Sequence, residues 1–233
     1  MATERVAGLP RGAMPGWAIA CGLLGVALLA RAVAISQVTA VPTADSAYYL
    51  GVAARLASGQ GLTSTVLWTY ASPPLALPQP AFSLWMPLAS LLAALPMLIG
   101  GGVSLLAAQL PMVLLGAALA PLTWLIAAQA AAANGLAGRR ATVVAVGAGL
   151  LAAIFGPFLV AVTGPDSAVP FAVFGVAACC AMPRALETRA TETDDRAGAR
   201  AGWSWAWGLG LGVLLGLAYL ARQRVKGKPF TVS

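Results

Sequence analysis

The chain contains no histidine, and only seven of its 233 residues are acidic. Without imidazole there is no Ser-His triad, no His-ligated metal and no general acid or base with an ordinary pKa close to neutral. Its three cysteines, Cys21, Cys179 and Cys180, all stand inside apolar runs. They have no metal-ligand spacing, and an adjacent pair makes a poor disulfide, so they read as small apolar side chains. Charge of either sign is scarce: 9% of residues, against about 25% in soluble domains. The surplus of basic residues gives a net charge of +7. Those residues lie between apolar runs rather than on one patch, which points to loops that orient membrane helices and not to nucleic acid.

What is plentiful is apolar sequence, 60% of the chain. Runs long enough to span a bilayer lie near 17–35, 81–100, 103–131, 141–162, 166–183 and 203–221; about 20 residues are needed. Arg5 and Arg11 precede the first, and Ala32-Val33-Ala34 resembles a signal-peptidase site. Arg31 interrupts the approach to that site. The first run therefore reads as a retained helix with a snorkelling arginine, and a cleaved leader is the alternative. Basic residues decide how many of the others cross. If 81–100 stays on one side, Arg5, Arg11, Arg139, Arg140, Arg184, Arg189, Arg196 and Arg200 all fall inside, with Arg31 and Arg55 outside. Six crossings with the N-terminus inside reverse that count, and six with the N-terminus outside is the rival topology. Pro87, Pro96 and Gly100-Gly101-Gly102 also suit a broken helix lying in the outer interface.

The expected fold is thus an all-α membrane protein of about five transmembrane helices, with juxtamembrane helices in a large first extracytoplasmic loop. Residues 1–16 form a cytoplasmic N-terminus and 17–222 the membrane domain. Within it, 36–102 is the outer loop and 184–202 a polar, flexible cytoplasmic loop; 223–233 is a polar tail. Asp194-Asp195 reads as solvated charge, because no glycine fingerprint accompanies it. Gly208, Gly212 and Gly216 recur every fourth residue and read as a close-packed helix face.

In this topology only Asp45 and Asp166 face outside, each at the mouth of a membrane segment and each opening the phrase "DSA". One reading is structural: Thr43 and Thr163 cap helices, with the aspartates in the first turn. The other is chemical. Helical spacing puts Asp45, Tyr48, Tyr49, Val52 and Leu56 on one face. A carboxylate there, with its pKa raised by partial burial, is a general base for an acceptor hydroxyl. Tyr48 and Tyr49 also fit an interfacial aromatic belt. A leaving group that departs as a phosphate anion needs only a cation to hold it. Arg222 is the best-placed candidate, assisted by Arg55, although snorkelling explains Arg222 as well.

The order of these pieces resembles a known family. After the first helix come "ADSAYYLGVAARLASGQGL" and "SPPLALPQP", then "GRR", "GPDS" and "LGLAYLARQ". This is similar to the front half of GT-C glycosyltransferases of the protein-mannosyltransferase and aminoarabinose-transferase type. The resemblance implies Asp45 as the first-loop catalytic acid, Asp166 as the second acidic position and Arg222 as the basic residue at a helix end. Tyr48, Tyr49 and Arg55 would help bind substrate. It implies an inverting transfer from a polyprenyl-phosphate sugar donor to an acceptor, without metal or cofactor. The site would face the extracytoplasmic side of a bacterial inner membrane. The chain departs from the family in two ways. Ser46 stands beside Asp45 where a second acid is usual, and "RVKGKPFTVS" replaces further helices. The rival expectation is a non-catalytic integral-membrane subunit of a larger complex. A small transporter ranks lower, because the membrane interior is expected to hold no buried charge.

Overall fold

The computed structural model describes residues 15–66, 76–82, 85–190 and 201–221. Among them are eight helices and one two-residue strand pair: α1 (Gly16–Ser36), α2 (Ala44–Ala57), β1 (Thr63–Ser64), β2 (Gln79–Pro80), α3 (Leu88–Gly100), α4 (Leu105–Ala133), α5 (Gly138–Ile154), α6 (Gly156–Ala161), α7 (Ala168–Ala190) and α8 (Ala201–Ala221). The strands are antiparallel, with Thr63 opposite Pro80 and Ser64 opposite Gln79. Three helical stretches, Gly16–Ser36, Leu105–Ala133 and Ala168–Leu186, are long and apolar enough to cross a membrane. This fits an all-α membrane protein.

α4 is the central element. It packs against α1 and α5 along one side, α7 along another and α3 near its start, while α8 packs on α7. Small residues make these approaches close. Leu23 and Ala27 of α1 meet Ala117 and Ala120 of α4 and Ala153 of α5, with Trp124 closing the edge. In lipid, association rests on such packing rather than on expulsion of water, so alanine seams are a means of bringing backbones together. The outward faces carry large apolar side chains, including Leu29, Leu114, Leu151 and Val160. That surface suits acyl chains and would be a liability in water.

Among the described residues, the segment 36–102 holds two helices. α2 and α3 pack on each other through Ala53, Ala93, Ala94 and Met97, and reach α4 through Ala108. α3 runs for 13 residues, about 20 Å at the helical rise, short of the roughly 30 Å apolar thickness of a bilayer. It starts after Pro87, continues through Pro96 and stops at Gly101 (φ 66°). The expected broken helix over 81–100 is therefore a single shorter one. Tyr48 and Tyr49 depart from the expectation of lipid-facing anchors. They are 4% and 2% exposed, stacked edge to face at 5.7 Å and enclosed by Ala89, Val66, Ala81, Phe82 and Trp85. The loop before α3 folds back over them and takes them out of the surface.

Three further expectations are corrected. The run 141–162 is not one helix: α5 ends at Ile154, Phe155 is extended (φ −63°, ψ 110°), and α6 begins at Gly156. Pro157 supplies the reason. It has no N–H, and its ring collides with the carbonyl four residues earlier, that of Ala153. Nor does Arg31 snorkel. It is 0% exposed, and its Nη1 donates to the carbonyls of Ala27 (3.1 Å) and Ala153 (3.0 Å). It thus serves a carbonyl that Pro157 cannot. Nε and Nη2 meet no acceptor among the described residues. The bundle interior therefore does hold a charge, contrary to the ground on which a transporter was ranked low. Finally, a Cβ at Gly208, Gly212 or Gly216 would meet nothing within 4 Å, so this face of α8 is open rather than packed. The stretch 184–202 is helical through Ala190 and again from Ala201, with 191–200, including Asp194 and Asp195, outside the described residues.

Candidate functional site

The site is assembled where the first turn of α2 meets the turn between α6 and α7. Thr43 has extended backbone (φ −132°, ψ 158°), and its Oγ1 accepts from the N–H of Ser46 at 3.0 Å. This is an N-cap, which satisfies one of the four donors a helix start leaves free. The Thr43 hydroxyl in turn donates to Ser46 Oγ at 2.9 Å. Asp45 stands in this first turn, more exposed than Ser46, Tyr48 and Tyr49 beside it.

The second segment is held from three sides. Val162, Thr163, Gly164 and Pro165 are all buried. From α4, Gln109 Nε2 donates to the Thr163 carbonyl at 2.7 Å. Gly164 lies directly against α2: a Cβ there would sit 3.1 Å from Ser46 Cβ and 3.3 Å from both Pro42 Cδ and Ser46 Oγ. Only a residue without a side chain tolerates that approach unstrained. Because Asp45 precedes Ser46 and Asp166 follows Gly164 by two residues, the contact brings the two carboxylates to one place.

The electrostatics follow. Asp45 is pushed above the usual carboxylate range, first by partial burial and then by repulsion from Asp166. Placement in the first turn of a helix favours the anion, yet the net shift is upward. Asp166 is half-buried, and its Oδ1 accepts from the N–H of Ala168 at 2.7 Å. Asp166 is thus the capping group of α7. Thr163, expected in that role, instead donates its hydroxyl back to the Val160 carbonyl at 2.8 Å.

Tyr49 lies at i+4 from Asp45 and shares a side-chain hydrogen bond with Ser167. Burial raises its phenol first and the Ser167 bond lowers it, while Asp45, Asp166 and Tyr48 add to the rise. Tyr49 therefore lies within electrostatic reach of both acids. Tyr48 points elsewhere: its hydroxyl accepts from the N–H of Phe82 at 3.0 Å, tying the folded-back loop to α2, and burial likewise raises its phenol.

Asp45, Tyr49 and Asp166 are brought together; the remaining candidates are not. Arg55 is in the last turn of α2, about 15 Å along the helix from Asp45, and its Nε donates to Thr63 Oγ1 at 2.8 Å. Arg222 lies outside the described residues. No group of three or more His, Cys, Asp or Glu able to hold a metal ion occurs among the described residues. Sequence reasoning passed over Gln109, Gly164 and Ser167, and read Ser46 only as standing where a second acid is usual. Gln109 carried a signal, being one of two amides, with Gln129, in the apolar run 103–131. Gly164 and Ser167 carried none.

Chemically, a carboxylate of raised basicity beside a second, hydrogen-bonded carboxylate can take a proton from a hydroxyl, while the second acid holds a neighbouring polar group. Compared with family models, with curated proteins and with solved structures, the chain finds no match.

Proposed function

We propose that the protein is a membrane glycosyltransferase of GT-C type, transferring a sugar from a polyprenyl-phosphate donor to an acceptor hydroxyl on the extracytoplasmic face. Asp45 removes the hydroxyl proton, and the freed oxygen attacks the anomeric carbon. The bond from that carbon to the phosphate oxygen breaks, and the electron pair leaves with the lipid phosphate. Asp166 orients acceptor or donor, and Tyr49 lies within electrostatic reach of both acids. Five crossings, by α1, α4, the α5–α6 pair, α7 and α8, put both acids outside in a bacterial inner membrane. The observation that carries this reading is the convergence of Asp45 and Asp166 on one end of the bundle, with mutual repulsion adding to burial at Asp45.

The test is transfer in reconstituted vesicles. Asp45→Asn abolishes sugar transfer while the protein remains inserted, and Asp45→Glu retains part of it. Equal turnover in Asp45→Asn and the unmodified protein overturns the assignment. Topology is checked separately: Arg139→Cys is protected from an impermeant reagent outside, and labelling there means a sixth crossing.

One observation favours a second reading, a non-catalytic subunit of a larger membrane complex. Asp166 already spends one oxygen on the Ala168 N–H, and Thr43 caps α2, so both segments have structural work without substrate. In that case the protein purifies with other membrane subunits and shows no transfer alone.

A further inference from the structure

The two acids lie on elements that no covalent or sheet register ties together, so something must set their separation. Asp166 directly follows four buried residues, Val162 to Pro165, squeezed between α4 below and α2 above. The upper contact, Gly164 against Ser46, is van der Waals only and limits how near the segments come. It cannot by itself stop them moving apart, and the tie from that side is the Tyr49–Ser167 bond. The lower contact is directional. Gln109 is 3% exposed and flanked on α4 by Ala108, Met112 and Val113, all buried. Its amide donates to the Thr163 carbonyl at 2.7 Å. A buried loop carbonyl left without a donor is costly.

We propose that Gln109 is a positioning residue of the acid pair: through its bond to Thr163 it fixes how closely Asp166 approaches Asp45. This rests on the glycosyltransferase reading only for its catalytic consequence. The geometric consequence stands without it. The groups facing Asp45 are Asp166 from the α6–α7 turn and Tyr49 from its own helix. Asp166 is the only charged group acting on it among the described residues. The separation of the acids therefore sets the repulsive share of the basicity of Asp45. A role confined to satisfying Thr163 affects stability and leaves that basicity alone.

The experiment uses the full chain in nanodiscs with carboxyl-labelled aspartate, following the Asp45 signal against pH by NMR; Asp45→Asn assigns the signal. Gln109→Met keeps length and removes the donor. Gly164→Ala disturbs the same turn from the α2 side and serves where Gln109→Met fails to insert. The inference expects the Asp45 midpoint to fall toward the ordinary carboxylate range in Gln109→Met, and in Gly164→Ala to fall also. It expects transfer at neutral pH to drop on the order of tenfold or more, since misplacement by about 1 Å costs on the order of a hundredfold. An unchanged midpoint in a folded Gln109→Met overturns the inference, as does an unchanged midpoint in Gly164→Ala when only that variant folds. A shifted midpoint with no transfer in the unmodified protein sustains the positioning role and overturns the glycosyltransferase reading instead.

Discussion

Gly116→Ala tests the packing of α1 on α4 and the burial of Arg31 together. An added Cβ would stand 2.7 Å from Val162 Cγ1 and 2.9 Å from Arg31 Nε, both well inside ordinary contact distance. Neither neighbour has room to retreat: Arg31 and Val162 are both fully buried, and Met112 and Val169 pack behind Val162. Overpacking of this kind costs about 1–3 kcal/mol. Replacing a helical glycine by alanine returns about 0.5–1 kcal/mol. The net is a destabilisation of about 0–2.5 kcal/mol, or a fall in Tm of up to about 10 °C for a chain of this size. Gly147→Ala is the control. It gains the same helix propensity at a position where a Cβ meets nothing within 4 Å, so its Tm rises by about 1–4 °C. Thermal unfolding of the two variants in one detergent reads the difference directly. In an Arg31→Val background, which carries no atom at the Nε position, one of the two clashes is gone and Gly116→Ala costs less than in the unmodified protein. Should Gly116→Ala prove as stable as Gly147→Ala, Arg31 does not lie against α4 and the bundle is packed otherwise.

Thr43→Ala removes the cap of α2 and lowers stability by about 1 kcal/mol, a drop in Tm of about 2–4 °C; an unchanged Tm means the cap is not formed. Gly164→Ala forces Ser46 back by a few tenths of an ångström from a 3.1 Å contact, so the proposed transfer falls several-fold with only a small change in Tm. Asp45 has a folded-state pKa above its unfolded one; its contribution to stability is complete in acid and is lost as pH rises through the folded value. Asp45→Asn therefore melts higher than the unmodified protein at neutral pH, and the difference vanishes below the carboxylate range. The same shift places the acid limb of the transfer profile above an ordinary carboxylate midpoint, and Asp166→Asn moves that limb down.

Much of the helical layout was legible because apolar runs in lipid admit few solutions. Backbone groups must be satisfied within the helix, so long apolar stretches read as helices almost without regard to detail. The meeting of Asp45 and Asp166 was legible in a weaker way, as two scarce charges opening similar phrases. What escaped notice depended on single backbone events. Pro157 is one proline among 16, and nothing local shows that it breaks a run while its neighbours Pro111 and Pro121 sit inside a continuous α4. The burial of Arg31 depends on that break and on Gly116, both distant in sequence. Tyr48 and Tyr49 looked like anchors because a helix with one aromatic face fits an interface and a protein interior equally well. The folded-back loop at Phe82 decides between them.

The juxtaposition of the two acids is measured most directly by cross-linking. In a chain with Cys21, Cys179 and Cys180 replaced by alanine, Asp45→Cys and Asp166→Cys are introduced together and treated in intact membranes with a short bifunctional thiol reagent. The structure predicts rapid intramolecular closure, blocked by prior modification of either position. Failure to close while both single variants label readily places the acids apart and leaves the proposed transfer without a site.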